Sequence, residues 1–278
     1  MADVSIAFFG TKGSFTYLAA QKYFDASCDF ISCSRFRDVF ESVRDGKTAY
    51  GVVPIENTLA GSIYENYDLL TECGLSLVGE VSLRIEHALL VNHSFPSASA
   101  DDVTEVYSHQ KALEQCDKFL RAHPSMHLNP YDDTATAAKF IAEHAEDKPW
   151  AAIAHPGNAD LWQLRILAKN IEDNDKNFTR FFVVAKDSSS ISEQANKCSL
   201  SFSLPHRVGS LSEVLMYFTN QQINLTKIES RPLVERPFEY IFYVDLILPA
   251  GLEERQLIEG LEQYTKSYHI LGAYAPAI

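Results

Sequence analysis

Val4-Ser5-Ile6-Ala7-Phe8-Phe9-Gly10-Thr11-Lys12-Gly13-Ser14 passes from a continuous apolar run of strand length into a turn that carries two glycines. Such a run fits a parallel strand covered on both faces, because a strand with one wet face would alternate. A helix follows with Phe15, Leu18 and Ala19 on one side, so the unit reads strand, turn, helix, the opening of an α/β architecture. The turn leaves the first amides of the helix above the carboxyl edge of the sheet, where they form a seat for an anion. Two glycines alone serve a plain connection equally well.

Outward from this unit the same alternation continues. Phe36, Val39, Phe40 and Val43 have helical spacing, with Ser34 as the cap and Gly46 as the stop. Ala49 to Val53 is a strand that runs into Pro54-Ile55-Glu56-Asn57-Thr58 and Gly61-Ser62, and a helix with Ile63, Tyr67 and Leu70 closes at Gly74. Leu75 to Asn92 is strand-like and is expected to cross into a second lobe. There Val106 to His109, a helix on Leu113, Cys116 and Leu120, a helix capped at Asp132-Asp133-Thr134, and the strand Ala151 to Ala154 repeat the pattern. Leu164 to Ala168 is expected to return the chain to the first lobe. Two lobes joined by crossing strands enclose a cleft. The polar, serine-rich stretch Lys186 to Gln194 is the linker candidate. Beyond it the order is strand, helix, strand, strand, helix, strand, the βαββαβ order of a ferredoxin-like module.

Composition bounds the function. With 278 residues, 46% hydrophobic and 22% charged, the chain is long enough for more than one domain and far from the disordered class. A net charge of -13, with no run of Lys and Arg, argues against a nucleic-acid surface and requires any anionic substrate to find a local positive pocket. The five cysteines are odd in number and form no CxxC, which fits reduced cytoplasmic thiols. No basic region precedes the first strand and no apolar span is long enough for a bilayer, so neither a signal peptide nor a membrane segment is expected. The pairs His87/His93 and His123/His127 lack a third ligand, and no metal is expected.

The chemistry concentrates in a few polar residues. In Asn177-Phe178-Thr179-Arg180-Phe181-Phe182-Val183-Val184 a hydroxyl and a guanidinium stand together at the start of a buried strand. Arginine offers a planar fork suited to a carboxylate, and threonine a donor that can face a leaving oxygen, which suits an oxyacid; the plain alternative is a strand with a polar edge. Glu56 and Asn57 lie at the carboxyl end of a strand, where open α/β sheets place ligand contacts, or form a turn with a capping asparagine. Ser108 and Gln115 belong to the opening of one helix and Thr134 to another, as ligand contacts or as caps.

Taken in order, these motifs resemble the prephenate dehydratase family with a C-terminal ACT regulatory domain, over nearly the whole chain. The motifs are Gly10-Thr11-Lys12-Gly13-Ser14-Phe15 with Ala19-Ala20, and Val53-Pro54-Ile55-Glu56-Asn57-Thr58 with Gly61-Ser62. They continue with Ser108-His109, Ala112-Leu113 and Gln115-Cys116, with Asp133-Thr134-Ala135 and Ala137-Ala138, and with Asn177-Phe178-Thr179-Arg180-Phe181. In the last module, Gly209-Ser210-Leu211 and Leu225-Thr226-Lys227-Ile228-Glu229-Ser230-Arg231-Pro232 resemble the phenylalanine-sensing segments. The chain departs from the family pattern at Thr11 and Gln110, where proline is usual, which leaves the shape of both loops open.

The resemblance implies an α/β fold in which a two-lobed catalytic domain over residues 1–187, similar to type 2 periplasmic-binding proteins, precedes an ACT domain over residues 197–278. It implies decarboxylating dehydration of prephenate to phenylpyruvate without a cofactor, inhibition by L-phenylalanine, and a homodimer or homotetramer in the cytoplasm. Thr179 is implied as hydrogen-bond donor at the leaving hydroxyl, with Glu56, Asn57, Ser108 and Gln115 orienting the substrate and Glu56 positioning Thr179 or a water. Ser14, Thr134, Asn177, Arg180 and Phe181 are implied in substrate binding. Gly209, Ser210, Leu211, Asn224, Leu225, Glu229, Ser230, Arg231 and Pro232 are implied in binding phenylalanine. The alternatives are arogenate as substrate and a non-catalytic amino-acid sensor.

Overall fold

The structure is a computed structural model that describes residues 4–25, 27–144, 149–187, 195–233, 239–250, 252 and 254–277. Along the chain run β1 (Ser5–Phe9), α1 (Phe15–Tyr23), β2 (Asp29–Cys33), α2 (Phe36–Arg44), β3 (Tyr50–Asn57), β4 (Gly61–Ser62), α3 (Tyr64–Cys73), β5 (Ser76–Arg84) and β6 (Ala88–Asn92). Then come β7 (Glu105–His109), α4 (Gln110–Gln115), α5 (Asp117–Ala122), β8 (His127–Tyr131), α6 (Thr134–Glu143), β9 (Trp150–Ala154), α7 (Asn158–Trp162), β10 (Leu164–Lys169) and β11 (Phe178–Ala185). The last module is β12 (Lys197–Ser203), α8 (Ser210–Asn220), β13 (Asn224–Pro232), β14 (Tyr240–Ile247), α9 (Glu254–Tyr264) and β15 (Ser267–Tyr274). The order βαββαβ expected there is the order found.

Three sheets organise these elements. The first has the order β2-β1-β3-β11-β5 with β4 on β3, the second β10-β6-β9-β7-β8, and the third β13-β14-β12-β15. β1 pairs β2 in parallel, and Ile6, Ala7 and Phe8 are fully buried, as a strand covered on both faces requires. In the second sheet β7 runs parallel to β8 and β9, and β6 antiparallel to β9 and β10. Successive residues of its strands feed different cores. Leu89 and Ile153 pack with Val106, Leu113 and Cys116, while Leu90 and Ala152 pack with Ala138 and Ile141, the period of two expected of a sheet buried on both sides. Each fully buried Leu or Ile here is worth about 1.5–3 kcal/mol of transfer free energy.

One expectation is corrected. Leu164 to Ala168 does not carry the chain back to the first lobe; as part of β10 it lies antiparallel to β6 at the edge of the second sheet. The return is made by β11, which takes the place between β3 and β5. An apolar run of this length suits either sheet, and the partner strand decides.

The chain divides into two compact units, one of Met1–Val39, Val52–Asn66 and Ser82–Phe181, the other of Phe40–Gly51, Tyr67–Val81 and Phe182–Ile278. The second unit groups the antiparallel third sheet with residues 67–81. Inside it the rings of Tyr67 and Tyr243 lie 4.6 Å apart, and Lys197 Nζ donates to both carboxylate oxygens of the buried Glu80 at 2.8 Å. The linker candidate falls, over residues 188–194, outside the described residues. Among the described residues no helix is long and apolar enough to cross a membrane.

Candidate active site

β3 is a buried strand, with Val52, Val53 and Ile55 fully enclosed, and it ends on Glu56 and Asn57. Its end is tied to the start of β11: Thr58 N donates to Phe178 O at 2.9 Å, and Phe178 N donates to Thr58 Oγ1 at 3.0 Å. The Asn57 amide is fixed at both ends. Its Oδ1 accepts from the backbone N–H groups of Leu59 (3.0 Å) and Ala60 (2.9 Å), so its Nδ2 faces β11. There it donates to Asn177 Oδ1 at 2.8 Å, to Thr179 Oγ1 at 2.9 Å and to Phe178 O at 3.2 Å. Thr179 is 9% exposed and acts as acceptor in this bond, so its own proton remains free for donation. Asn177 is buried, and its carbonyl accepts from Ile85 N at 2.8 Å.

Arg180 follows Thr179 in the same strand, and successive strand side chains point to opposite faces. Its guanidinium donates to Glu56 Oε2 at 3.0 Å, while Thr179 belongs with Asn57. Glu56 and Asn57, adjacent on β3, are likewise divided between the two faces. Phe181 shares the parity of Thr179 but is 1% exposed and forms part of the core. A side chain so enclosed supports the strand beneath Thr179 and does not offer its ring to a ligand.

Ser108, at the end of β7, is fully buried and donates its proton to Ile153 O on β9 at 2.5 Å. It is not the cap of α4, a role taken by His109, whose Nδ1 accepts from Lys111 N at 3.2 Å. Thr134 is the first residue of α6, which Asp133 caps by accepting from Ala135 N at 2.7 Å and Thr136 N at 2.8 Å. Ser14 caps α1, its Oγ accepting from Tyr17 N at 3.2 Å. The turn before it is held close: a Cβ on Gly13, whose φ is +89°, would stand 2.0 Å from Asn158 Oδ1.

Gln115 ends α4 and meets a residue that sequence reading weighed only as a metal ligand. Its Oε1 lies 3.0 Å from Nε2 of His87, a side chain 1% exposed. Phe15 stands edge-on to His87 at 5.9 Å and to His155 at 5.6 Å. Burial pushes the imidazole of His87 below its usual range, and burial with the neighbouring His87 takes that of His155 down to about 4. Both rings are therefore neutral near pH 7. The available signal for His87 was its setting in Ile85-Glu86-His87-Ala88-Leu89-Leu90, because an imidazole entering a fully buried strand needs a hydrogen-bond partner.

The residues expected to bind an effector fall in two places. Ser210 and Leu211 line a cavity of about 190 Å³ with Leu204, Arg207, Tyr240 and Phe242, next to Gly209, whose φ of +89° begins α8. Arg231 and Pro232 line a second cavity of about 520 Å³, where Arg231 pairs with Asp68. On β13, Asn224 and Ser230 are exposed, Leu225 is half-buried, and Glu229 pairs with Lys227 at 3.1 Å.

Comparison with known proteins matches residues 6–189 to the family model described as prephenate dehydratase. The chloroplastic arogenate dehydratase/prephenate dehydratase 2 of Arabidopsis thaliana is 39% identical over 285 residues, which span 98% of this chain and 72% of that protein. The structure of prephenate dehydratase from Arthrobacter aurescens in complex with L-Phe matches with a TM-score of 0.83 at 29% identity, over 98% of this chain and 90% of that one. GqqA, described as a novel type of quorum quenching acylase, matches with a TM-score of 0.85 at 26% identity, over 98% of each chain.

Proposed function

This chain belongs to the prephenate dehydratase family, and we propose that it aromatises prephenate at the Asn57–Thr179 pair. The reaction is a carbon–oxygen lyase step of phenylalanine biosynthesis. The bond from the ring to its carboxylate breaks, its electron pair enters the ring, and the ring hydroxyl opposite leaves. Prephenate dianion and one proton give phenylpyruvate monoanion, carbon dioxide and water. Aromatisation drives the step, so the protein's work is to align the two breaking bonds and to stabilise the departing oxygen.

The observation that carries this reading is the direction of the hydrogen bond at Thr179. Asn57 Nδ2 donates to Thr179 Oγ1, which leaves the threonine proton to meet the leaving oxygen as charge builds there. An alcohol is too weak an acid to act as an ordinary general acid, so Thr179 serves as a donor, with the proton drawn ultimately from solvent. Acyl transfer, the activity in the GqqA description, would need a nucleophile beside a base. Thr179 has an amide donor there instead. Arg180 and Glu56 brace the strand from its other face, Ser14, Thr134 and Gln115 orient the substrate, and Ser108, whose proton is given to Ile153 O, ties β7 to β9.

The rest of the reading follows the family. Residues 1–187 form the catalytic domain and 197–278 an ACT domain. L-Phenylalanine binds the segments Gly209–Leu211 and Asn224–Pro232 and inhibits, and a homodimer or homotetramer works in the cytoplasm. In support, Ser210 and Leu211 line one cavity and Arg231 and Pro232 another, an arrangement that fits an effector site assembled from two copies.

The test is phenylpyruvate formation from prephenate, and phenylalanine formation from arogenate, by wild type, Thr179→Val and Asn57→Asp. We expect turnover of prephenate and a fall in kcat of about a hundredfold or more in each variant, the scale of losing one transition-state donor. Preference for arogenate would reassign the substrate. Wild-type kcat in Thr179→Val would remove the proposed role of this hydroxyl.

A further inference from the structure

His87 is used by none of the steps above, yet it is one of the most enclosed polar side chains of the chain, at 1% exposure. Its surroundings are built around it. The backbone N–H donates to Glu172 Oε2 at 2.9 Å, and Glu172 is itself held by Arg84 at 2.6 Å. The backbone carbonyl of His87 accepts from Ile171 N at 3.1 Å, and that of Gln115 accepts from Asp173 N at 2.7 Å. One short segment, residues 171–173, therefore pins the backbones of both His87 and Gln115. Phe15 closes the ring edge-on. The side chains then meet at 3.0 Å, Nε2 to Oε1, while Nδ1 of His87 is buried without a partner.

From this geometry we infer that His87 is a positioning residue that sets the orientation of the Gln115 amide, turning its NH2 group outward as a donor for a carboxylate of the substrate. The inference rests on the placing of Gln115 in the substrate site. The hydrogen count supports it. A neutral imidazole carries one N–H, so two arrangements exist. In one, Nε2–H donates to Gln115 Oε1, and the buried Nδ1 is left with only a lone pair. In the other, the amide donates to Nε2, and Nδ1–H is a buried donor with no acceptor, while a carbonyl oxygen faces an anionic substrate. The second combines an orphaned donor with electrostatic repulsion, and the first has neither. A glutamine alone turns its amide over at little expense. A fixed imidazole removes that freedom, which is why the site needs His87 as well as Gln115.

Steady-state kinetics on prephenate tests this with wild type, His87→Phe, His87→Gln, Gln115→Leu and the double variant His87→Phe/Gln115→Leu. Phenylalanine fills the imidazole volume without a donor, whereas glutamine keeps a donor near the Nε2 position. In His87→Phe we expect KM to rise about tenfold with kcat changed less, the scale of one hydrogen bond to a charged group. His87→Gln should recover most of it, and His87→Phe should add nothing on a Gln115→Leu background. A wild-type KM in His87→Phe beside a damaged Gln115→Leu would overturn this inference alone, and so would full additivity or a failed rescue by glutamine. Wild-type kinetics in Gln115→Leu would overturn the placing of Gln115 and this inference with it. A second measurement needs no variant: in the nitrogen-15 NMR spectrum of the wild-type protein, His87 should show a protonated Nε2 and a bare Nδ1. The opposite tautomer would overturn the proposal.

Discussion

Asn57 and His155 show how a single side chain can be tested by asking which of its atoms are already committed. Asn57 was legible in the sequence, because an amide after a buried strand and before a turn has few uses. Its direction was not legible, since it depends on the two turn amides that occupy Oδ1. His155 left no sequence signal of comparable strength. Its Nδ1 accepts from Gly157 N at 3.0 Å, a bond that only a neutral ring can make, and its pKa of about 4 lies below the 6.5 of a free histidine. The unfolded chain therefore binds a proton more readily than the folded one between those values. His155's share of stability is whole above pH 6.5 and is lost as pH falls to and through about 4. We expect the melting temperature of wild type to drop over that window. His155→Leu should flatten the drop without abolishing it, because the pKa of His87 is shifted in the same direction. Thermal scans at several pH values check this, and an unchanged slope in the variant would show that His155 does not carry the effect.

At the scale of elements, period was readable and partnership was not. β1, β3, β9 and β11 announce themselves as short apolar runs between turn residues, and α6 by its cap at Asp133. The misplacement of β10 came from the same source, since a run such as Leu164 to Ala168 contains nothing that names its neighbour. Close approaches are equally silent in sequence. Gly272 of β15 is an ordinary strand residue by pattern, but a Cβ there would stand 2.1 Å from Leu77 O on β5, a backbone atom with little room to retreat. Gly272→Ala should therefore destabilise the protein by about 1–3 kcal/mol, the range for forced overpacking. Urea unfolding of the two proteins would read this as a lower midpoint at equal slope. An unchanged midpoint would mean that the strand shifts without strain.

At the scale of the whole molecule the question is how the proposed effector segments report to the Asn57–Thr179 pair, and here the sequence supplied motifs without their arrangement. Gly209–Leu211 and Arg231–Pro232 are expected at one effector site, but Ser210 and Leu211 line one cavity and Arg231 and Pro232 another. β13 is one edge of the third sheet, and its residues alternate exposed and half-buried along its length, with Ile228 44% exposed. An edge strand offers unpaired N–H and C=O groups, and an exposed isoleucine on it adds apolar surface that association would cover. If the effector site is completed by a second copy at this edge, a charge there should separate assembly from catalysis. Ile228→Glu puts like charges face to face wherever two such edges meet about a twofold axis. Light scattering should then show a smaller assembly than for wild type. Inhibition by L-phenylalanine should weaken by at least about tenfold, while turnover without the effector is retained, since Ile228 lies in β13 and the Asn57–Thr179 pair on β3 and β11. Loss of assembly with inhibition intact would place the effector site within one chain. An unchanged assembly with unchanged inhibition would move the interface away from β13 altogether.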